Sequence, residues 1–246
     1  TMPAQHFALL CRRHMIRYGT TVDDLAAVAM AGRSWAVDNE RAMMRGPMDQ
    51  ADYESSRMIA DPFRAVDCCL QSDGACAIVV SARETAPDLR KRPVRILSGT
   101  TVTGPRARGG MWANSWDDHA VSYAHFAAPR LFGQASLGPN DIDLAQLYDC
   151  FTYSALVQLE DFGFCGKGEG GAFFSQGLTR KGGKLPVNTA GGLLSEAYIH
   201  GLNLVVEAVS QLRGEAGGRQ VDGAETALVS AGGAASTGSA LILAMT

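Results

Sequence analysis

The chain has 246 residues, 46% of them hydrophobic and 19% charged, with a formal net charge of -3 at pH 7. That is enough apolar material for one large domain or two small ones with a sizeable core, and the near-balanced charge leaves no electrostatic footprint for nucleic acid, the basic run 90–95 reading as a solvated connection. No stretch of about 18 uninterrupted apolar residues argues for a membrane span, the charged segment 1–19 lacks the form of a secretion signal, and the cysteines (Cys11, Cys68, Cys69, Cys76, Cys150 and Cys165) have neither metal-ligand spacing nor the density of a disulfide scaffold, so a reduced, cytoplasmic setting without a bound metal is expected.

In chain order, Phe7, Leu10, Cys11, Met15 and Ile16 recur at helical spacing over Pro3–Tyr18, with Gly19 as the stop. Thr20 or Thr21 is placed to cap a second helix that opens Val22-Asp23-Asp24 and runs through Trp35; both are expected as packed surface helices. Residues 39–64 predict a long loop or lobe, whose Met43, Met44, Met48 and Met58 suit either an irregular apolar ligand or simple gap-filling. Residues 66–82 predict a turn at Ser72-Asp73-Gly74 followed by a buried strand over 75–80.

Beyond the boundary region 82–93, Val94–Thr103 predicts a strand, 104–118 a loop containing Gly and Trp, 120–133 a helix, 138–141 a turn, 142–147 a strand ending at Tyr148-Asp149, and 152–162 a helix. Residues 165–183 are glycine-rich without the order of a phosphate loop, and read as a flexible lobe. In 185–214 an Asn and a double glycine precede Leu202, Val205, Val206, Val209 and Leu212, the spacing of one buried helix face closed by Gly214. Such a glycine-to-helix junction can offer free N–H groups to an anionic or carbonyl group. Strands over 226–230 and 239–245 flank the turn Ala231-Gly232-Gly233. Strands and helices interleaved in this way predict an α/β protein with helices covering a mixed sheet.

Three segments, Cys68-Cys69-Leu70-Gln71-Ser72-Asp73-Gly74-Ala75, Tyr148-Asp149-Cys150-Phe151 and Asn188-Thr189-Ala190-Gly191-Gly192, in this order and at these separations, resemble the thiolase superfamily in its sterol-carrier branch. The resemblance implies a thiolase-like fold of mixed sheets layered with helices. In it, 1–92 would be the remainder of the N-terminal half with a loop lobe and 93–246 the C-terminal domain, the first part of the N-terminal half with its acyl-accepting cysteine being absent from this chain.

The chain departs from that family at its chemical positions. Tyr148-Asp149-Cys150-Phe151 stands where the family has His-Asp-Cys-Phe or Asn-Glu-Ala-Phe, Ala197-Tyr198-Ile199 replaces Gly-His-Pro, and Ala231-Gly232-Gly233 replaces Cys-x-Gly. Ordinary Claisen chemistry therefore lacks its base and its proton-handling cysteine. Tyrosine at both places is similar to the lipid-transfer-protein aldolases of steroid side-chain degradation. That implies retro-aldol cleavage of a bulky β-hydroxyacyl-CoA to a ketone and a short acyl-CoA such as propionyl-CoA. It further implies an OB-fold-type partner subunit or domain on a homodimeric core, and no cofactor beyond the CoA that the substrate carries.

A retro-aldol step needs a base for the β-hydroxyl, a holder for the enolate oxygen and an acid for the α-carbon. A phenol titrates near pH 10, so a tyrosine base calls for a lowered pKa or a neighbour that accepts its proton. Tyr198 is expected as the base and Tyr148 as the acid or oxyanion donor, the two roles being exchangeable. Asp149 and His200 are the supporting candidates. A charged Asp149 only raises a phenol's pKa, whereas a protonated His200 or a helix dipole lowers it. On a regular helix His200 points away from Tyr198 and would pack behind the site. Asn188, Gly191, Gly192, Gly232 and Gly233 are expected to shape the acyl-CoA site, and Cys69 and Cys150 to be buried small residues. Two other readings stay open, a two-component thiolase-type acyltransferase and a non-catalytic acyl-CoA or lipid-binding homologue.

Overall fold

In the computed structural model, which describes residues 2–104 and 118–245, helices α1 (Pro3–Tyr18) and α2 (Val22–Ala36) open the chain. Thr21 Oγ1 accepts from the Asp24 amide while the Asp24 carboxylate accepts the Thr21 N–H, a reciprocal cap that sets the start of α2. α1 keeps one side in water, as expected of a surface helix. α2 does not, since Leu25, Ala26, Ala27, Val28, Ala29, Ala31, Trp35 and Ala36 are all buried. Its alanine-rich course has no continuous polar stripe and lets neighbours close on it from several sides.

The lobe that follows is mostly irregular but holds a short helix α3 (Gln50–Ser55) and a minimal hairpin of β1 (Met58–Ala60) and β2 (Phe63–Arg64). The strand expected over 75–80 does not form. Val79 and Val80 are 92% and 73% exposed, and the segment joins no ladder among the described residues. An apolar run becomes a buried strand only where a neighbour supplies main-chain donors and acceptors, and nothing in the run itself reports that neighbour.

β3 (Val94–Thr103) has its expected bounds; the loop expected over 104–118 lies, apart from its two end residues, outside the described residues. There follow α4 (Tyr123–Ala135), β4 (Leu144–Gln146), α5 (Thr152–Asp161), α6 (Gly170–Ser175), α7 (Gly192–Ser195), α8 (Leu202–Leu212), β5 (Thr226–Ala231) and β6 (Thr237–Met245). Four strands form one mixed sheet in the order β3-β6-β5-β4, with β4 and β5 parallel and the other pairs antiparallel.

Alternation along the strands sorts the core into two layers. Leu228, Ala240 and Ile242 face α4 with Tyr123, Ala127 and Leu131, while Ala227, Val229 and Leu243 face α8 with Leu204, Ala208 and Leu212. α2 and α5 contribute side chains to both layers. Each fully buried leucine contributes roughly 1.5–3 kcal/mol by leaving water. No helix among the described residues is long and apolar enough to cross a membrane.

α8 turns inward a face that overlaps the one its apolar spacing indicated only along one edge, at Leu212 with Val205 and Val209 half-buried beside it. Leu202 is 41% exposed, Val205, Val206 and Val209 are only partly buried, and Asn203, Leu204, Glu207, Ala208, Gln211 and Leu212 lie inside. Glu207 and Gln211 have partners inside: Glu207 accepts from Thr189 Oγ1 at 2.8 Å, Gln211 Nε2 at 3.0 Å and Arg219 Nη2 at 3.0 Å. A polar residue whose hydrogen bonds are met can occupy the core, so apolar periodicity alone does not identify the buried side.

Candidate active site

Tyr148 stands just past the end of β4, with its main chain tied on three sides. Its N–H donates to Ser230 Oγ of β5 at 2.9 Å, and its carbonyl accepts from Gln158 Nε2 of α5 at 2.9 Å. Ser230 Oγ in turn donates to Gln158 Oε1 at 2.7 Å, closing the loop. On the third side the Asn188 carboxamide bonds both polar groups of the Leu147 main chain, at 2.7 and 2.9 Å. Tyr198 lies in the non-helical connection between α7 and α8, its N–H donating to Leu70 O at 2.7 Å and its carbonyl accepting from the Ser72 amide at 3.3 Å.

The two phenols meet. Their hydroxyls share a hydrogen bond of 2.9 Å, and the rings stand edge-on at 79° with centroids 6.2 Å apart. His200 does not point away, because the connection is not the regular helix that this expectation assumed. His200 takes a left-handed backbone with φ 66° and Gly201 one with φ 89°, and this reversal brings His200 Nδ1 to 3.1 Å from the Tyr148 hydroxyl. Left-handed backbone costs a residue with a Cβ roughly 1–2 kcal/mol, so the surrounding structure must hold it there. Gly201 has no substitute, since a Cβ would stand 2.8 Å from Cε2 of the Tyr148 ring. The result is a chain Tyr198–Tyr148–His200 in which Tyr148 is buried, Tyr198 is half-buried and the imidazole is exposed.

Burial pushes the Tyr148 phenol far above its ordinary range, and the bond to Tyr198 adds to this. Burial raises Tyr198 too, while its hydrogen bond with Tyr148 opposes the rise. Neither phenol is lowered, and each has a hydrogen-bonded neighbour, Tyr148 lying between Tyr198 and His200.

Asp149 does not face the phenols. It is 1% exposed, and its Oδ1 accepts from the Leu193 amide at 2.8 Å. Burial pushes its carboxyl up to about 7 against the pull of main-chain N–H groups, Leu193 first. An N–H at the glycine-to-helix junction, expected to be free for a ligand, is therefore taken by Asp149. Gly192 is required there, because a Cβ would lie 2.1 Å from Asp149 Oδ2.

Of the remaining candidates, Asn188, Gly191 and Gly192 form a supporting layer behind the tyrosines; a Cβ at Gly191 would stand 2.7 Å from the Ala36 Cβ of α2. A Cβ at Gly233 would stand 3.5 Å from Tyr148 Cδ1, whereas Gly232 packs at the β5–β6 bend, where a Cβ would meet Gly238 Cα at 2.6 Å. Burial pushes the Cys69 thiol up to about 12 and that of Cys150 higher still, which keeps both from acting as thiolate nucleophiles near neutrality. Ser230, Gln158 and Gly201 escaped the reading of the sequence. The first two carry no local signal, being 72 residues apart; Gly201, directly after His200, could have signalled a break in the helix.

Tyr198 and His200 open onto a shallow depression of about 400 Å³, lined also by Gln71, Ser72, Asp73 and Ile199. A larger cavity of about 590 Å³ lies at the other end of β4, between Asp143, Phe164, Phe173 and Lys184. At about 3.3 Å per strand residue, Asp143 is roughly 16 Å from Tyr148, and the hydrogen-bonded chain does not reach it.

Residues 110–245 match the family described as thiolase C-terminal domain-like, and the chain belongs to that family. Within it, the chain is 42% identical over 231 residues to the 17-hydroxy-3-oxo-4-pregnene-20-carboxyl-CoA lyase of Mycobacterium tuberculosis, covering 94% of this chain and 60% of the relative. It is 38% identical to the steroid side-chain-cleaving aldolase of Thermomonospora curvata, covering 86% of this chain and 54% of that one. A solved Ltp2-ChsH2(DUF35) aldolase superposes with a TM-score of 0.93 at 37% identity, over 100% of this chain and 64% of its counterpart. The chain thus spans 54–60% of the length of these two curated relatives.

Proposed function

We propose that this chain carries the active site of a retro-aldolase, a carbon–carbon lyase that splits a bulky, steroid-bearing β-hydroxyacyl-CoA into a ketone and a short acyl-CoA such as propionyl-CoA. The observation that carries the reading is the hydrogen-bonded run Tyr198–Tyr148–His200. The names of the two curated relatives support a steroid-bearing CoA ester.

In the proposed step Tyr198, the phenol that lines the depression, accepts the β-hydroxyl proton. Its own proton passes to the Tyr148 oxygen, and that of Tyr148 passes to Nδ1 of a neutral His200. The Cα–Cβ bond breaks, its electrons entering the thioester as an enolate while the β-carbon becomes the ketone. Return of the proton through the same chain to the α-carbon yields the short acyl-CoA and restores every side chain. Two raised phenols suit this relay, since neither needs to persist as a phenolate; positioned acid–base groups of this kind contribute roughly 10²–10⁴-fold. Asn188, Gly191 and Gly192 act from behind by holding the main chain next to Tyr148, Gly233 leaves room for its ring and Gly232 for the β5–β6 bend, and the reaction so written uses no cofactor beyond CoA. Similarity to an aldolase solved with ChsH2(DUF35) supports a partner subunit; we take that partner to be of OB-fold type on a homodimeric core, and the enzyme to be cytoplasmic.

The test is mass spectrometry of the products formed by the full-length protein and its partner from a 17-hydroxy steroid side-chain acyl-CoA. Equal amounts of 17-ketosteroid and propionyl-CoA without free CoA are expected. Cleavage only when free CoA is supplied would mean thiolysis, and no cleavage in either case would leave an acyl-CoA-binding protein.

A further inference from the structure

Glu196, two residues before Tyr198, is 6% exposed and makes no bond to the proton chain. A buried carboxylate is costly unless its oxygens are occupied, and these are. Oε1 accepts from Asn39 Nδ2 at 3.1 Å and faces Arg41 Nη2 at 3.7 Å, while Oε2 accepts from Asn203 Nδ2 at 2.9 Å. Each carboxamide uses the same nitrogen to hold a main-chain carbonyl, Asn39 that of Ala190 at 2.9 Å and Asn203 that of Ala197 at 3.2 Å. Asn39 and Asn203 are themselves only 1% and 5% exposed.

One carboxylate therefore joins the loop after α2, the turn before the double glycine and the first turn of α8 to the connection that bears Tyr198 and His200. The main chain runs in the same sense, the Met43 amide donating to Glu196 O at 2.8 Å and the Met44 amide to Ser195 O at 3.0 Å. Leu70 and Ser72 hold the opposite edge at Tyr198. Because His200 is held in left-handed backbone, release of one edge frees the connection to relax.

We infer that Glu196 is the positioning residue of this site, its carboxylate holding the 196–201 connection in the course that sets Tyr198 and His200 on either side of Tyr148. This deepens the retro-aldolase reading and, for its kinetic part, rests on it. The action is geometric, since the bonds of the carboxylate go to Asn39, Asn203 and Arg41 and none goes to a phenol.

Asn203 Oδ1 is buried and has no hydrogen-bond partner among the described residues. E196Q keeps the length of the side chain and an oxygen that still accepts from Asn39, but its new amide can meet Asn203 only if Asn203 turns its carboxamide over and gives up the Ala197 carbonyl. E196D keeps the charge but is one methylene too short to reach both carboxamides, and E196A takes the shared acceptor from both and leaves each only its main-chain carbonyl.

The test compares E196A, E196D and E196Q in the full-length protein with its partner, by steady-state kinetics on the 17-hydroxy acyl-CoA and by NMR of tyrosine labelled with ¹³C at the ζ carbon. E196A and E196D are expected to lose roughly 10- to 100-fold in kcat, the scale of a misplaced reacting group, with KM changed by less than about threefold. Both should shift the Tyr148 and Tyr198 signals, and E196Q, which keeps the Asn39 tie at full length, should lose less rate and move the signals less than E196D. If E196A does not fold, the contrast between E196D and E196Q decides. Equal losses in those two, or unmoved signals in E196D, overturn the inference. If the wild-type protein cleaves nothing, the retro-aldolase reading fails on its own, and the tyrosine signals still decide the role of Glu196.

Discussion

Replacing His200 separates two effects that meet at one residue, the end of the proton chain and a strained backbone. Both His200→Gly and His200→Ala delete the imidazole, which lies 3.1 Å from Tyr148. Without it the Tyr148 proton has no acceptor, and kcat is expected to fall by roughly 10²–10⁴-fold, or about 2.7–5.4 kcal/mol of barrier. Because the imidazole is exposed, imidazole added to the solution should enter and restore part of the rate in His200→Gly. Stability should move differently between the two variants. At φ 66° alanine retains the left-handed cost of roughly 1–2 kcal/mol that glycine escapes, partly offset by the greater freedom of glycine in the unfolded chain. His200→Gly should therefore melt up to about 2–4 °C above His200→Ala, the shift that about 1 kcal/mol gives a chain of this size. The assay pairs steady-state turnover with thermal denaturation. Turnover of either variant within about threefold of wild type would refute the relay, since losses of acid–base catalysis are far larger. Equal melting temperatures would refute the account of the backbone.

Tyr198→Phe should remove most of kcat, by roughly 10²-fold or more, while circular dichroism and the melting temperature stay near wild type; normal turnover would eliminate Tyr198 as the base. Gly192→Ala forces a Cβ to 2.1 Å from Asp149 Oδ2, and urea unfolding should register a loss of at least about 1–3 kcal/mol, the usual cost of overpacking. Asp149 gives stability a pH dependence whose sign is fixed by its raised pKa of about 7. The folded protein binds that proton more tightly than the unfolded chain, whose carboxyl titrates near 3.9, so the Asp149 contribution falls as pH rises between about 4 and 7, by up to roughly 4 kcal/mol. Urea midpoints of wild type and Asp149→Asn measured across that range should diverge in this sense, and parallel curves would count against a raised Asp149.

Much of the fold was legible in local chemistry. The Thr21–Asp24 cap, the stop at Gly19 and the β-rich composition of 94–103 are properties of neighbouring residues, and they placed α1, α2 and β3 to within a residue or so. The two tyrosines stood out only because a family resemblance showed what usually occupies their places. That their hydroxyls share one hydrogen bond across 50 residues of sequence could be read from neither composition nor spacing.

Local chemistry settles where the chain turns and caps, through φ/ψ preferences and hydrogen bonds that span three or four residues, and the sequence names the residue types available for proton transfer. Only the tertiary structure decided which side of α8 is buried, because Glu207 and Gln211 find partners in Thr189 and Arg219. It also left 75–80 outside the ladders of the described residues and turned His200 back onto Tyr148 through two left-handed residues, Gly201 giving the ring its room. Each of these outcomes rests on a partner supplied by another part of the chain, and burial, pairing and strain are settled by such partners rather than by the residues that bear them.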